Sequence, residues 1–461
     1  MRLPKFHTVA HRVGVVGLYR AGKTVFLTSL INHLQNHDPR VLPIADGQSR
    51  IIFRRQLPPE NGFEEFPYFE HRDKLVYSRQ WPVKTRATCQ YRCQYYRSDW
   101  NLSRGELSLL DFPGERLADL PMAGCTYGQW SDFILTLFRE HNEYRVYSQP
   151  YLDLLARPDA SPEALINTYR RVLKDLFLNF RPVISPSTFI LTDAGLWVGD
   201  LPPEQRFETN YVGLDRENQF LPLPREVRDR RPELAGAFAS RYEVYRERIA
   251  VPLARWMQKC DELVVLVDVT TLLAGGLGMY EGNRELLRNL MTFLNPGQNL
   301  WGVSLSVIGR TLRMFRPLHD YVSEKWDLTW GGIRRIAFVA TKADKVHASQ
   351  RQHLQMLLKD MVEDLVGPYV EGSIRLDVDY FVCAAVNSTR STADGRLQAR
   401  FRSSDKTEVY TPSLVPTAWP HEDWSEMGLR YPNVAPWMPP RRDAPPDHLE
   451  LNRVADYLLN G

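Results

Sequence analysis

The 461-residue chain is 25% charged and 43% hydrophobic, proportions that exclude a disordered polypeptide and allow a large core shared between two or three lobes. Lys and Arg total 58 against 55 for Asp and Glu, and the formal charge of +3 is too slight on a chain of this size to indicate a nucleic-acid partner. Five cysteines, of which only Cys89 and Cys93 stand close, form neither a zinc-ligand spacing nor a disulfide framework and suggest a reducing cytoplasm, and no apolar run approaches the roughly 18 residues of a membrane helix.

From the N-terminus, Val13-Gly14-Val15-Val16 predicts a strand leading into Gly17-Leu18-Tyr19-Arg20-Ala21-Gly22-Lys23-Thr24, a complete G-x-x-x-x-G-K-[ST] phosphate loop. The two glycines let the backbone curl so that several N–H groups face one phosphate. Lys23 adds a positive charge at the outer phosphates, and the Thr24 hydroxyl suits Mg²⁺. Gly17, Tyr19, Arg20, Ala21, Gly22, Lys23 and Thr24 are therefore candidate nucleotide-binding residues. Val25, Phe26, Leu27, Leu30, Ile31 and Leu34 follow at helical spacing, as expected of a helix whose N-terminus meets the phosphates. The plainer alternative is a glycine turn ahead of an ordinary amphipathic helix. The basic N-terminus does not read as a secretion signal, because Gly14 and Gly17 break its apolar patch.

After a stretch rich in Arg, Pro and aromatic residues, Ala87 to Arg97 and Gly105 to Asp111 read as two strands. The turn-forming Ser98-Asp99-Trp100-Asn101 between them predicts an antiparallel hairpin. Cys89, Tyr91 and Cys93 share one face of the first strand and are expected to be core residues. The second strand runs into Asp111-Phe112-Pro113-Gly114-Glu115. A phosphate loop needs a second Mg²⁺ ligand at the end of a neighbouring strand, which Asp111 supplies, and Gly114 stands where a D-x-x-G motif turns a backbone N–H to the γ-phosphate. Upstream, Thr85 in Trp81-Pro82-Val83-Lys84-Thr85 is the candidate switch threonine for Mg²⁺, with Thr88 as its rival. His71-Arg72-Asp73 has the look of a kinase catalytic loop, but Ser78 stands where that loop requires asparagine. The histidines form no metal-ligand spacing.

From Pro113 to about residue 230 apolar residues recur at helical spacing, as in Leu165, Tyr169, Val172, Leu173 and Leu176. A helical stretch, Pro232 to Lys259, then leads to a buried strand, Glu262 to Val269. Arg334 to Thr341 and Ser373 to Ala384 are further strands around the helix-like Gln350 to Val366, an alternation that predicts a largely parallel sheet. The first of these two ends in Thr341-Lys342-Ala343-Asp344, a [NT]-K-x-D element. Asp344 can accept two hydrogen bonds from the ring N–H and exocyclic amine of guanine, a pair adenine cannot offer, while Lys342 packs its stem along base and ribose. Cys383-Ala384-Ala385 matches the guanine-backing S-A-K loop loosely, so Cys383 and Ala384 are base contacts or plain core residues. Thr411 to Asp447 holds nine prolines with Trp419, Trp424 and Trp437, a composition that predicts a segment wrapped on the domain. A final helix carries the stripe Leu451, Val454, Ala455 and Leu458, with Asp447 and Glu450 as its capping box.

Together these elements predict an α/β fold with a mostly parallel sheet and helices on both faces, and their motif order resembles a Ras-like P-loop G domain carrying a large helical insertion after the D-x-x-G motif. Residues 1–114 form the first part of the G domain and 115–230 the insertion. Residues 231–390 form the second part, interrupted at about 296–333 by a segment of unreadable role, and 391–461 the Pro/Trp-rich wrap and final helix.

The motif order resembles that of Ras and Gα GTPases. Within that class Gly17 to Thr24, Trp81 to Thr85 and Asp111 to Glu115 resemble the YcjX-like family of stress-associated bacterial P-loop GTPases. The resemblance implies GTP and GDP binding with Mg²⁺, hydrolysis by direct attack of water, and a switch that acts on a protein effector in a stress response. It also implies a membrane-associated partner, which would hold a cytoplasmic chain at the inner membrane. Thr24, Thr85 and Asp111 are the implied metal ligands, and Glu115, Thr85 and Gly114 the catalytic set. Two positions depart from Gα: Pro82 replaces the arginine finger, leaving Arg20, Arg86 or Arg116 to supply that charge, and Glu115 replaces the water-orienting glutamine. A glutamate beside a tetra-anionic phosphate chain implies slow turnover. An ATP-dependent P-loop enzyme and a dynamin-like assembly protein are the alternative readings.

Overall fold

β1 (His7–Gly17) is the strand around which the first half of the chain is built, and its Val13, Val15 and Val16 have no exposed surface. The computed structural model describes residues 7–18, 21–45, 47, 49–82, 88–100, 103–140, 142–180, 185–187, 219–294, 333–370, 376–401, 406–420, 424–431, 434–437 and 444–460. After β1 come α1 (Lys23–Gln35), β2 (Ile51–Leu57), β3 (Glu64–Glu65), α2 (Tyr68–Val76), β4 (Cys89–Arg97) and β5 (Ser103–Asp111). A 3₁₀ segment, Gly114–Gly124, precedes α3 (Tyr127–Glu140), α4 (Asn142–Leu155), α5 (Pro162–Phe180), α6 (Arg225–Arg230), α7 (Pro232–Tyr245) and α8 (Val251–Gln258). The chain then forms β6 (Glu262–Val267), α9 (Val269–Leu294), β7 (Arg335–Ala340), α10 (Arg351–Val370), β8 (Asp377–Val382), β9 (Thr389–Ser391), β10 (Leu397–Arg400), β11 (Thr407–Tyr410) and α11 (Leu451–Leu459).

Contacts divide the chain into two compact units, one of Met1–Gly114, Lys259–Leu277 and Gly332–Gly461, the other of Glu115–Gln258 and Gly278–Gly331. The first holds a sheet of order β2-β4-β5-β1-β6-β7-β8, with β3 beside β4. The five strands from β5 to β8 in that order are parallel, whereas at one side β4 pairs antiparallel with β5 and β2 antiparallel with β4. β4 and β5 form the expected hairpin. Every residue of β6 is buried, as a strand covered on both faces requires. Phe26, Leu27, Leu30, Ile31 and Leu34 of α1 share one core with Val13, Val15, Val264, Leu266 and Val339 of the sheet. Leu451, Val454, Ala455 and Leu458 of α11 enter the same core, and α10 packs on β7 and β8. The architecture is a Ras-like α/β fold with a mostly parallel sheet.

Edge elements depart from the sequence pattern. β2 and the small antiparallel sheet β9-β10-β11 were not among the predicted strands. The Asp447–Glu450 capping box does not form: Glu450 is itself the N-cap, in left-handed backbone at φ 51°, with no side chain capping the helix. The entering chain is held instead by a two-bond bridge between Leu449 and Ala384, at 2.8 and 3.0 Å. Trp419 and Trp424 stack at 5.7 Å and donate their indole N–H groups to the carbonyls of Leu357 and Leu273, so this part of the Pro-rich segment is seated on the first unit.

The second unit is helical with an aromatic centre, where Trp130, Phe220 and Tyr242 meet at ring distances of 5.2 to 5.6 Å. The Tyr242 hydroxyl lies 2.9 Å from the Cys125 carbonyl and 3.2 Å from that of Met122. Residues 231–258, expected in the returning part of the G domain, therefore pack in this unit, and the chain returns at Lys259. Gly276, at φ 80° and ψ −174°, interrupts α9 beside the boundary at Leu277. The 296–333 segment lies outside the described residues except for its last position.

His33 of α1 is buried 3.0 Å from the Pro446 carbonyl, edge-on to His448 at 4.8 Å. Burial, followed by repulsion from His448, lowers its pKa from 6.5 to about 3. The folded chain keeps this ring neutral while the unfolded chain protonates it, so stability present above pH 6.5 is lost as pH falls toward 3. Chemical unfolding across that window should show a shallower pH dependence for His33→Gln than for the parent, by up to about 1.4 kcal/mol per pH unit. Identical slopes would exclude His33 from acid destabilisation.

Candidate nucleotide-binding site

Strands that run parallel release their following loops at one edge of the sheet. Asp111 on β5 stands opposite Val15 of β1, Gly17 opposite Leu266 of β6, Val267 opposite Ala340 of β7, and Ala340 opposite Val382 of β8. The phosphate loop, Asp111, Asp268, the Thr341–Asp344 element and the Cys383–Ala384 element consequently emerge at the same edge.

The loop turns where its glycines allow. The Leu18 N–H donates to the Leu266 carbonyl at 3.1 Å, and the Ala21 N–H donates to that of Leu18 at 3.0 Å. Gly22 then takes left-handed backbone, φ 82°, which its lack of a Cβ makes accessible. Its carbonyl accepts from the Phe26 N–H at 2.9 Å and opens α1. Lys23 and Thr24 are buried, and the Lys23 ammonium is ion-paired with the Asp111 carboxylate. Gly114 rests on the start of the loop: a Cβ there would stand 1.8 Å from the Gly17 carbonyl oxygen, a distance no side chain tolerates.

The Thr341–Asp344 element adjoins this loop. Lys342 has left-handed backbone at φ 56°, and its Cε lies 3.6 Å from where a Cβ on Gly22 would be. Its ammonium reaches Asp268, one residue beyond β6, at 2.7 Å. Burial alone would raise the pKa of Asp268, but Lys342, Lys345 and the hydrogen bonds from Lys342 and Thr270 hold the carboxyl well below its ordinary range. Asp344 is buried, and one of its carboxylate oxygens accepts from the N–H and hydroxyl of Ser388, at 2.7 and 2.5 Å. The Ala343 N–H donates to the Cys383 carbonyl at 3.2 Å, and the Ser29 hydroxyl of α1 donates to that of Ala385 at 2.5 Å. Burial pushes the Cys383 thiol far above the ordinary thiol range, so it is a packing group rather than a nucleophile.

A model of the YcjX-like family, DUF463, matches residues 11–461. The chain belongs to the YcjX-like family. It is similar to the Ras-like GTPase YcjX of Escherichia coli (strain K12), with 26% identity over 488 aligned positions that cover 97% of this chain and 95% of that protein. Its similarity to the Ras-like GTPase YcjX of Shewanella oneidensis is 25% over 497 positions, covering 97% and 93%.

In this YcjX-like chain Gly17, Ala21, Gly22, Lys23, Thr24, Asp111, Gly114, Lys342, Asp344, Cys383 and Ala384 come to one sheet edge. Tyr19, Arg20, Arg86 and Thr85 lie outside the described residues, as does the side chain of Glu115. Thr88 directly precedes β4, and its carbonyl accepts from the Glu64 N–H at 3.4 Å. Arg116, one of three candidate arginine fingers, is turned into the second unit, where its guanidinium lies 3.2 Å from the Tyr245 hydroxyl and 3.8 Å from Asp119. Two residues that contact the candidate site escaped the sequence pattern, Asp268 and Ser388. An aspartate closing the apolar run of β6 was a visible signal for the first. Nothing local marks Ser388, which reaches Asp344 only through the fold.

Among the described residues no cluster of three or more His, Cys, Asp or Glu side chains is arranged to hold a metal. The Thr24 hydroxyl and Asp111 carboxylate are nonetheless a donor pair suited to Mg²⁺, a hard cation that takes few protein ligands and completes its shell with water and phosphate oxygens.

Gly114→Ala tests the seat on Gly17 directly. The added methyl group should cost about 1–3 kcal/mol in thermal or urea unfolding. It should also raise amide exchange in the segments around Gly17 and Gly114. Parent-like exchange in both segments would contradict the contact.

Proposed function

We propose that this chain binds Mg²⁺-GTP at the shared sheet edge, hydrolyses it to GDP, and changes the arrangement around Thr85 and Gly114 when the γ-phosphate leaves. The observation that carries the reading is the stem of Lys342 lying against Gly22. A purine read by Asp344 and a polyphosphate gripped by the glycine-bracketed loop then occupy one crevice rather than two. The names of the two relatives, both Ras-like GTPases, support the same chemistry.

Backbone N–H groups of the loop bind the phosphates and Lys23 neutralises the outer ones. Thr24, Asp111 and Thr85 would hold Mg²⁺, which when bound would offset negative charge on the transferring phosphoryl group. Gly114 presents its N–H to the γ-phosphate, and Glu115 orients the attacking water. Negative charge at that position opposes the approach of Glu115 to the phosphates, so turnover on this reading is slow. Asp344, oriented by Ser388, distinguishes guanine from adenine.

Among the described residues no helix is long and apolar enough to cross a membrane. A protein effector, membrane-associated and engaged under stress, is the partner class that the family resemblance implies.

Titration of the parent with GTP, GDP, ATP and xanthosine triphosphate, repeated on Asp344→Asn, tests the base assignment. The parent should prefer guanine nucleotides over ATP by at least about 10²-fold, because a hydrogen-bonding site left unpaired rejects the wrong base strongly. Asp344→Asn should lose GTP affinity by a similar factor and gain affinity for xanthosine triphosphate. A parent that prefers ATP, or a variant with unchanged guanine preference, would remove Asp344 from base recognition.

A further inference from the structure

We infer that Asp268 is a positioning residue of the guanine-nucleotide site, acting through Lys342; the inference rests on the GTP-binding reading above. Lys342 sits in left-handed backbone after β7, and a four-carbon stem leaving such a turn has many rotamers. The one adopted lays the stem along Gly22. Asp268 selects it, because its carboxylate lies 2.7 Å from the Lys342 ammonium.

The carboxylate cannot move away to release the lysine. One of its oxygens accepts from the Thr270 hydroxyl at 2.6 Å and the Thr271 N–H at 3.0 Å, and the other from the Thr271 hydroxyl at 2.6 Å as well as from Lys342. Its side chain is 1% exposed, so water does not compete for these bonds. The charged groups acting on it are Lys342 and Lys345, both from the segment after β7. The bond from Thr271 also caps the first turn of α9, which is the purely structural role against which the inference must be separated.

Asp268→Asn keeps an acceptor for that cap and removes the charge facing Lys342. Calorimetric titration with GDP and with GTP should show both bound about tenfold more weakly than by the parent, the usual scale for losing a charged hydrogen bond. Turnover at saturating GTP should stay within about twofold, so that the change falls on KM rather than kcat. Lys342→Ala should lose at least as much affinity, and Asp268→Asn/Lys342→Ala should be no weaker than Lys342→Ala alone, because both substitutions remove one interaction.

Lys342→Met, which leaves the stem but not the ammonium, decides the matter if Asp268→Asn does not fold. A tenfold loss in this variant supports the inference, and parent affinity overturns it. Unchanged binding by folded Asp268→Asn, or losses that multiply in the double variant, would reduce Asp268 to a helix cap. A parent chain that binds neither GDP nor GTP overturns the guanine-nucleotide reading itself, and this inference with it.

Discussion

The common register of β5, β1, β6, β7 and β8 is the constraint on which the candidate site depends. Gly17, Asp111, Asp268, Lys342 and Cys383 are far apart in sequence, and nothing local brings them together. Parallel strands rise about 3.3 Å per residue, so a one-residue slip of β7 against β6 would carry Lys342 away from Gly22 by that distance and reverse the faces of the strand. Burial forbids the slip. All six residues of β6 are buried, as are Ile336, Ala337, Phe338, Val339 and Ala340 on β7. The apolar pairing that builds the core is thus also what sets the geometry of the polar edge.

The parts of this arrangement legible in the sequence are those where local pattern and tertiary environment agree. The strand, glycine loop and helix of residues 13–34 carry their own turn chemistry. The hairpin ending at Asp111 has a turn cluster between two runs, and β6 and β7 are apolar because both their faces are covered. Where the two diverge, the pattern fails. β2, Ile51-Ile52-Phe53-Arg54-Arg55-Gln56-Leu57, lies at the sheet edge with Ile52 half exposed, so its burial does not alternate and its arginines read as loop. Asp447 and Glu450 have capping-box spacing, but the bridge from Leu449 to Ala384 fixes the entering backbone first. Residues 231–258 are helical in either unit, and helical periodicity does not say which core a helix joins. Ser388 is invisible for a different reason: its partner, Asp344, is 44 positions away.

The chain passes from one unit to the other at the residue that follows Gly114. Gly114, seated on the carbonyl of Gly17, is the last residue of the first unit, and Glu115 is the first of the second. No linker intervenes. The 3₁₀ segment that follows is tied within the second unit by Asp119, which accepts from the Ser187 N–H at 2.9 Å and the Tyr245 hydroxyl at 2.8 Å. Burial raises the pKa of Asp119, opposed by the nearby Arg116 and by these hydrogen bonds. The second crossing is similar in kind, since α9 begins one residue after Asp268 and is interrupted at Gly276 before entering the second unit.

On the proposed reading, charge pairing at the edge constrains how a nucleotide can enter. Lys23 and Asp111 are each other's counter-ion in a buried setting, where removing one partner leaves an uncompensated charge at a cost of about 3–5 kcal/mol. A triphosphate alone would draw Lys23 away and leave Asp111 facing further negative charge. A cation alone would take Asp111 and strand Lys23. Phosphate and Mg²⁺ entering together would, on that reading, give Lys23 and Asp111 new partners at once. On the proposed reading, then, metal and nucleotide affinity are coupled through this one ion pair. Lys342, already paired with Asp268, needs no such exchange, so the same reading assigns base selection to Asp344 and metal dependence to the loop.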